Sequence, residues 1–407
     1  LRLTELRKEI KTPSELTAPV ELRMISLKQL TAACDDALRN NFGRLPEEIR
    51  FLAGIQRIQY VFVYPEENEI VIGGPAEPWR YDDAGQPVGV SNGRPMLQLD
   101  DFVTVYRTFS SEGAGTFNCL IVPRQEGLKA VAEFVEQSNK RPLAPGQVNP
   151  WTKELQNKQG LQDVEVNGIP LDSRVARVIV EADYRMKLIG IGQIEPVASI
   201  PSFFDLLVKT REQNATSIDA LRWWMTMKYD AISHSPDREA FEIKGSSVQC
   251  LSENEFVTAQ GQRVPTRKAE KTNSLFASTF TEKYDELAAV DPVFADMQNI
   301  FDLSLVAALI QSEGLDQRAD WNGGVFASHG GYLTRTYQPA KTVNSAVNHR
   351  VYNNRNIVVQ VAGGVKGDFL NVATNPELQT ENSALESVEQ TAAAPQLPAG
   401  RWWWDAK

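Results

Sequence analysis

Histidine and cysteine are scarce in this chain of 407 residues, which has three of each. Cys34, Cys119 and Cys250 are far apart and form no C-x-x-C pair, which argues against a disulfide framework and a structural zinc site. We therefore predict that each cysteine is a small buried apolar side chain. H-E-x-x-H, P-loop and EF-hand patterns are also lacking, so the sequence predicts no metal and no cofactor.

Basic clusters and long apolar runs are lacking as well. The net charge is −10 and the pI is about 5.1, and lysines and arginines occur singly or in short pairs. Phosphate backbones bind to basic surfaces, so nucleic acid is not a predicted partner. The most hydrophobic stretch, residues 303–310, is far shorter than the roughly 20 apolar residues that cross a bilayer. The sequence therefore predicts no transmembrane segment.

What the sequence does contain is a strongly periodic segment at residues 274–311. Phe276, Phe280 and Tyr284 recur every four residues, which places them on one face of a helix. Asp291 and the proline directly after it favour the start of a second helix, with Asp291 as its N-cap. This second helix is apolar nearly all round in its last turns, which is typical of a helix in the middle of a core.

Helices and strands are mixed on both sides of this helix pair. Helical periodicity predicts helices at residues 1–11, 24–38, 97–109, 127–137, 150–159, 174–188 and 202–210. Alternating or β-branched runs predict strands at residues 58–64, 69–72, 116–122, 163–166, 221–229, 241–243, 248–251, 256–258, 330–337, 347–352 and 357–362. This order indicates an α+β fold with antiparallel sheet segments around a buried helix pair. We predict two domains, at residues 1–145 and 146–365, joined at a proline-rich stretch.

The C-terminal arm, residues 366–407, has a different composition. Residues 371–400 contain no aromatic side chain, and such a segment buries too little apolar area to offset its ordering entropy. We predict a flexible acidic arm that ends in Trp402, Trp403 and Trp404. Three adjacent indoles favour burial. They could insert into a neighbouring copy or a partner, fold back on their own domain, or anchor at a membrane interface, which the acidic spacer disfavours.

Few residues are candidates for chemistry. Asp183 and Lys187 stand four apart on one predicted helix face, where they could form an ion pair, specify packing or line a site. His329 lies in a His-Gly-Gly sequence like the oxyanion loop of esterases, but no G-x-S-x-G elbow accompanies it, so a turn is the default interpretation. Asp183, Lys187 and His329 are therefore weak catalytic candidates.

A further possibility is a carboxylate site across the central helix pair. Asp285, Glu286, Asp296 and Asp302 would all lie on these helices. Two carboxylates that meet across a cleft are what glycosidases and oxygen-ligand metal sites require. Carboxylates on helix surfaces are more often solvated.

Three segments of the chain, at residues 180–192, 280–309 and 363–365, resemble a family of uncharacterised planctomycete proteins that carries a domain of unknown function. The resemblance covers most of residues 20–365. It implies a bacterial origin and an exported or cell-envelope location, with the cytoplasm as the alternative. It supplies no activity, cofactor or catalytic residue.

The leading hypothesis is a non-enzymatic structural or interaction protein. In it, the chain forms a homo-oligomer or binds an envelope protein through the C-terminal arm and a β-rich surface. The alternative is a hydrolase that uses acidic residues around Asp183 or on the central helices. Replacing the three terminal tryptophans with alanine would lower the oligomer order under the first hypothesis. Replacing Asp183 with asparagine would abolish an activity only under the second.

Overall fold

A computed structural model of the chain describes residues 12–41, 43–138, 147–195, 199–211, 218–258, 260–352, 355–395 and 397–406. These residues form helices packed with antiparallel and mixed sheets, which confirms the α+β class. The helix predicted at residues 1–11 lies outside the described residues.

Helices and strands are interspersed along the described chain. The helices are α1 (Leu27–Asn40), α2 (Glu47–Arg50), α3 (Leu99–Phe109), α4 (Gln125–Ser138), α5 (Val148–Gln159), α6 (Arg174–Gly190), α7 (Phe203–Thr210), α8 (Lys271–Glu282), α9 (Tyr284–Val290), α10 (Pro292–Ser312), α11 (Leu315–Arg318), α12 (Phe369–Ala373) and α13 (Leu385–Ala392). The strands are β1 (Val20–Ser26), β2 (Tyr60–Tyr64), β3 (Glu69–Ala76), β4 (Trp79–Tyr81), β5 (Pro87–Gly89), β6 (Phe117–Pro123), β7 (Leu161–Asn167), β8 (Ile218–Lys228), β9 (Ala231–His234), β10 (Ala240–Lys244), β11 (Ser247–Val257), β12 (Arg263–Pro265), β13 (Thr342–Asn344), β14 (Val347–Tyr352), β15 (Arg355–Gly367), β16 (Gln379–Glu381) and β17 (Trp403–Asp405).

The strands are arranged in two large sheets and a two-stranded ribbon. One sheet has seven strands in the order β16-β9-β10-β2-β3-β1-β17. The other has eight, in the order β12-β11-β8-β15-β6-β7-β13 with β14 paired to β15. Both sheets combine strands from before and after residue 145. The sheets therefore do not follow the predicted division into two domains.

Helix α10 lies in the middle of the core, as predicted. It packs against α3, α6, α9 and α12. By length and composition it could cross a membrane, but the whole of its apolar window is buried inside the protein, as in a core helix. Asp291 occupies the predicted N-cap position, yet it makes no capping hydrogen bond. Its carboxylate instead accepts a hydrogen bond of 2.5 Å from Arg185 Nε.

Most predicted elements are present, and two predictions need correction. The helix predicted at residues 24–38 begins only at Leu27, because the residues before it form β1 and pair with β3. The Ser26 side chain accepts a hydrogen bond from Gln29 N and caps the helix.

The strand predicted at residues 330–337 is irregular chain in the structure. Side chains and the backbone of nearby loops hold it instead of a neighbouring strand. Arg107 donates to the Tyr332 carbonyl at 2.8 Å, and the Tyr332 hydroxyl donates to Asp100 at 2.7 Å. These bonds pair the carbonyl and hydroxyl groups of Tyr332 without a sheet.

Candidate functional site

Part of one face of the eight-stranded sheet is open to solvent. Along β8, Trp223 is fully buried and stacks on Phe276 of α8 with ring centroids 4.1 Å apart. Its neighbours Arg222 and Trp224 are half-buried. Alternate residues of a strand point to opposite faces. Arg222 and Trp224 therefore belong to the face that is turned away from α8.

The side chains of this open face form three rows across neighbouring strands. The middle row is apolar and contains, from β11 to β6, Leu251, Trp224, Gly364 and Leu120. The flanking rows are more polar, with Gln249, Thr226, Lys366 and Asn118 on one side and Glu253 and Arg222 on the other. The face is thus an apolar stripe with polar borders.

A notch interrupts the apolar row at Gly364. Trp224 and Leu120 stand on the two strands beside it, and glycine adds no side chain between them. A Cβ atom at Gly364 would lie 1.8 Å from the Cys119 carbonyl oxygen, so no larger residue fits this backbone. The notch is part of a cleft of about 620 Å³ lined by residues of β6, β8, β11 and β15. We call this cleft the sheet cleft.

Gly364→Ala is expected to lower the free energy of unfolding by about 1–3 kcal/mol, because the added methyl group must push apart β15 and β6. Urea denaturation measures the change. Gly331→Ala is the matched control, since Gly331 is exposed and a Cβ there would meet no atom within 4 Å. Equal stability of the two variants would contradict the close approach at Gly364.

Several hydrogen-bond donors of the sheet cleft have no partner among the described residues. Arg222 donates from Nε to Glu255 at 2.6 Å. Its terminal nitrogens, the Lys366 amine and the Trp224 indole nitrogen make no hydrogen bond with any residue that the structure describes. The charged lining consists of Arg222 and Lys366 against Glu253 and Asp368, so the charges balance. The cleft therefore offers hydrogen-bond donors but carries no net charge.

The ion pair of Asp183 and Lys187 lies on the other side of the sheet. Ser173 caps α6 through a 3.1 Å bond from Ala176 N, and the helix carries both side chains inward. Lys187 Nζ donates to Asp183 Oδ2 at 2.6 Å, and it lies 3.5 Å from the Ile121 carbonyl oxygen. Both residues are 0% exposed, so neither reaches the sheet cleft.

Burial sets the electrostatics of this pair. It raises the pKa of Asp183, against the effect of the Lys187 charge, and it lowers the pKa of Lys187, against the effect of Asp183. Cys119 and Cys250 are buried near Asp183, and burial raises the pKa of both thiols. All three cysteines are free and buried, as predicted.

The carboxylates of the central helices do not meet. Asp296 binds Arg174 at 2.6 Å, and Asp302 binds Arg57 at 2.5 Å. Asp285 accepts from Gln298 at 2.6 Å. Among the described residues, each of these three acids is therefore held by a partner of its own, and the possible carboxylate site across the helix pair stays a hypothesis. Glu286 lies apart from them and pairs with Lys283.

One buried carboxylate beside this helix pair has a strongly shifted pKa. Asp101 of α3 shares Arg174 with Asp296. Burial raises the pKa of Asp101 to about 7; the Arg174 charge opposes this, and the charges of Asp296 and Asp100 add to it. Asp101 is 1% exposed, so the pair is enclosed and faces no cleft.

His329 lies in an exposed turn, as the default interpretation predicts. It borders a small cavity of about 170 Å³ together with Ser110 and Asp316. Among the described residues, no hydrogen bond joins its ring to a serine or a carboxylate. A Ser-His-Asp arrangement requires such bonds, so the geometry around His329 does not form one.

The prediction of a flexible C-terminal arm is wrong for the described part of residues 366–407. These residues form α12, β16, α13 and β17. Trp402, Trp403 and Trp404 are 4%, 7% and 5% exposed, because β17 pairs with β1 of the same chain. Composition alone does not predict this order, since the elements that bury the segment, among them β1, β9, β10 and α10, are distant in sequence.

Two arginines hold the tryptophan tip in place. The guanidinium groups of Arg23 and Arg401 lie 4.9 and 4.6 Å from the centre of the Trp403 ring. Arg23 is buried and also donates to Asp405 through Nε at 2.7 Å and through Nη2 at 3.1 Å. The three indoles are thus part of the chain's own fold.

No group of three or more His, Cys, Asp or Glu side chains within the described residues is placed to hold a metal ion. Comparison with known families gives one match. Residues 119–203 match the family described as "Protein of unknown function (DUF1598)". The DUF1598 match spans about a fifth of the chain, from β6 to the start of α7, and contains Asp183, Lys187 and the β6 wall of the sheet cleft. No curated protein and no solved structure matches the chain.

Proposed function

We propose that this chain is a non-enzymatic interaction protein that binds a partner molecule in the sheet cleft. The observation that carries the proposal is the apolar row of Trp224 and Leu120 around the Gly364 notch, bordered by donors without partners among the described residues. An aromatic anchor in a pocket with a polar rim is the usual core of a binding surface.

The acidic residue next to the cleft supports binding rather than acid catalysis. Burial raises the pKa of Glu255, but Arg263 and Arg222 lower it more, so the net pKa lies below the ordinary value of a glutamate. A general acid at neutral pH needs a raised pKa. Glu255 is therefore an ionised anchor that orients Arg222 toward the cleft rim.

The proposal replaces assembly through the C-terminal arm with binding through the β-rich surface. The arm completes the chain's own seven-stranded sheet, and its tryptophans are buried there. From the family resemblance we also propose a planctomycete origin and an exported or envelope location.

Fluorine NMR of protein labelled with 5-fluorotryptophan tests the binding role. The resonance of Trp224 is assigned by its loss in Trp224→Phe, and that of Trp223 serves as an internal control because it lies on the buried face. The panel contains neutral oligosaccharides, anionic oligosaccharides and peptides. We expect a member of the panel to shift the Trp224 resonance in a saturable way, to leave Trp223 unchanged and to be recovered chemically intact.

Two outcomes would overturn the proposed function. One is that no class of compound shifts Trp224. The other is that a bound compound is converted to a product, which would make the protein an enzyme.

A further inference from the structure

We infer that the sheet cleft binds a neutral oligosaccharide. This inference rests on the proposed function and names the chemical class of its ligand. It is argued from the shape of the notch, from the arrangement of polar and apolar rows, and from the balance of charge.

The notch has room for one ring. Neighbouring strands lie about 4.8 Å apart, so the backbones of Trp224 on β8 and Leu120 on β6, two strands apart, are about 10 Å from each other. Gly364 lies between them without a side chain. The open space between an indole and a leucine suits one ring that rests on the glycine backbone.

The chemistry of the rows matches that of a sugar. A pyranose ring has apolar C–H faces and hydroxyl groups around its rim. Its face would pack on Trp224, as rings pack on amphipathic aromatic side chains. Its hydroxyls would accept hydrogen bonds from the donors of Arg222 and Lys366 on the two polar rows. They would also accept from the amide nitrogen of Asn118, which has no partner among the described residues, while its oxygen accepts from Asn167.

The charge of the site disfavours polyanions. The cleft lining carries two basic and two acidic residues, and the whole chain has a net charge of −10. Polyanionic ligands are drawn to surfaces with a net positive potential. A neutral polymer meets no such penalty here.

The strand pairing disfavours an extended peptide. Peptides that add to a sheet use the unpaired backbone groups of an edge strand. The cleft lies on the face of β8 and β15, and both strands have hydrogen-bonded neighbours on their two sides. Recognition must therefore come from side chains and from the ring-shaped notch.

The test is titration of the full-length protein with four neutral hexasaccharides: cellohexaose, chitohexaose, xylohexaose and maltohexaose. Calorimetry gives the affinity, and the Trp224 fluorine resonance reports the place of binding. We expect at least one of the four to bind, with an affinity that changes less than about twofold between 50 and 500 mM NaCl, since no counterions are released. Trp224→Ala is expected to weaken binding about tenfold or more, as for a central aromatic anchor.

Three further variants keep the test independent of folding defects. Lys366→Ala changes an exposed residue of the cleft and is expected to weaken binding without altering the circular dichroism spectrum. Trp224→Phe keeps a ring and is expected to retain part of the affinity. Leu333→Ala removes a side chain that is 85% exposed and does not line the cleft, and it should leave binding unchanged.

The outcomes separate the inference from the proposed function. If peptides or anionic oligosaccharides shift Trp224 while none of the four neutral sugars does, the inference is overturned and the binding role stands. If sugar binding is unaffected by Trp224→Ala and Lys366→Ala together, the cleft is not the sugar site and the inference fails. If no compound of any class shifts Trp224, both are overturned.

Discussion

A chain that ends at Gly367 is expected to aggregate at concentrations at which the full-length protein stays in solution. The deletion removes β16 and β17, which pair with β9 and β1, so it uncovers both edges of the seven-stranded sheet. It also removes α13, which packs on β10. Unpaired edge strands beside an exposed apolar face are templates for pairing between chains.

The apolar face that the deletion would uncover is substantial. It consists of fully buried or nearly buried side chains that pack with Leu385, Ala392 and Trp404 of the C-terminal arm, namely Met24, Phe62, Val71 and Ala240. Light scattering on a sizing column measures the association state of both chains. A soluble truncated chain with the mass and thermal midpoint of the full-length protein would contradict the structural role of the arm.

This expectation is opposite in sign to the one drawn from composition. If a free arm joined copies of the chain, its removal would lower the oligomer order. If the arm completes the sheet of its own chain, its removal raises the tendency of chains to associate, because it exposes unpaired strand edges and apolar side chains. The same scattering experiment therefore distinguishes the two roles of the arm directly.

The single substitution Trp404→Ala isolates the packing part of this effect. Trp404 is 5% exposed, and its indole nitrogen donates to the Ala392 carbonyl at 3.1 Å. Truncation of a buried tryptophan costs about 3–5 kcal/mol, a large part of the roughly 5–15 kcal/mol that stabilises a folded protein. Urea denaturation measures the loss, with Leu333→Ala as the exposed control. A change below about 1 kcal/mol in Trp404→Ala would show that the tip is not anchored.

The elements that could be predicted from sequence are those whose signal is local. Helices α3, α6 and α10 carry their apolar residues at helical spacing over three turns or more, so each was placed within a few residues of its ends. The start of α1 was misplaced because a short apolar run is compatible with a strand or a helix. Residues 20–26 form a strand because they pair with β3 and β17, which are distant in sequence.

The candidate site lay beyond sequence reasoning for the same reason. The strand predicted at residues 221–229 is present as β8, Ile218–Lys228. The notch is not visible in the sequence, since Leu120, Trp224 and Gly364 come from three strands that are more than one hundred residues apart. The predicted strand at residues 357–362 stops before the pair of glycines at residues 363–364, whereas β15 continues to Gly367.

The candidate acids show a similar limit. The pairing of Asp183 with Lys187 follows from their spacing of four on one helix. The arginine partners of Asp296 and Asp302 lie more than one hundred residues away, so no local pattern indicates them.

Lys187→Met is expected to lower the free energy of unfolding by about 3–5 kcal/mol, because it leaves Asp183 as an unpaired charge that is 0% exposed. The double variant Asp183→Leu, Lys187→Met also removes the carboxylate charge, so it is expected to recover most of the lost free energy of unfolding. Urea denaturation of the two single variants and the double variant gives the coupling between the residues. Additive effects would contradict the ion pair.

The loss in Lys187→Met should also depend on pH in a defined direction. Burial raises the pKa of Asp183 above its ordinary value, and the Lys187 charge opposes that rise, so removing the lysine raises the pKa further. A carboxyl whose folded pKa exceeds the unfolded value of about 3.9 binds its proton more tightly when folded. The stability that protonated Asp183 contributes to the folded protein is therefore present below pH 4 and is lost as the pH rises through the folded pKa. Compared with the double variant, which lacks the carboxyl, Lys187→Met should be nearly as stable at pH 4 and clearly less stable at pH 8; a constant difference across this range would show that Asp183 does not titrate in the folded protein.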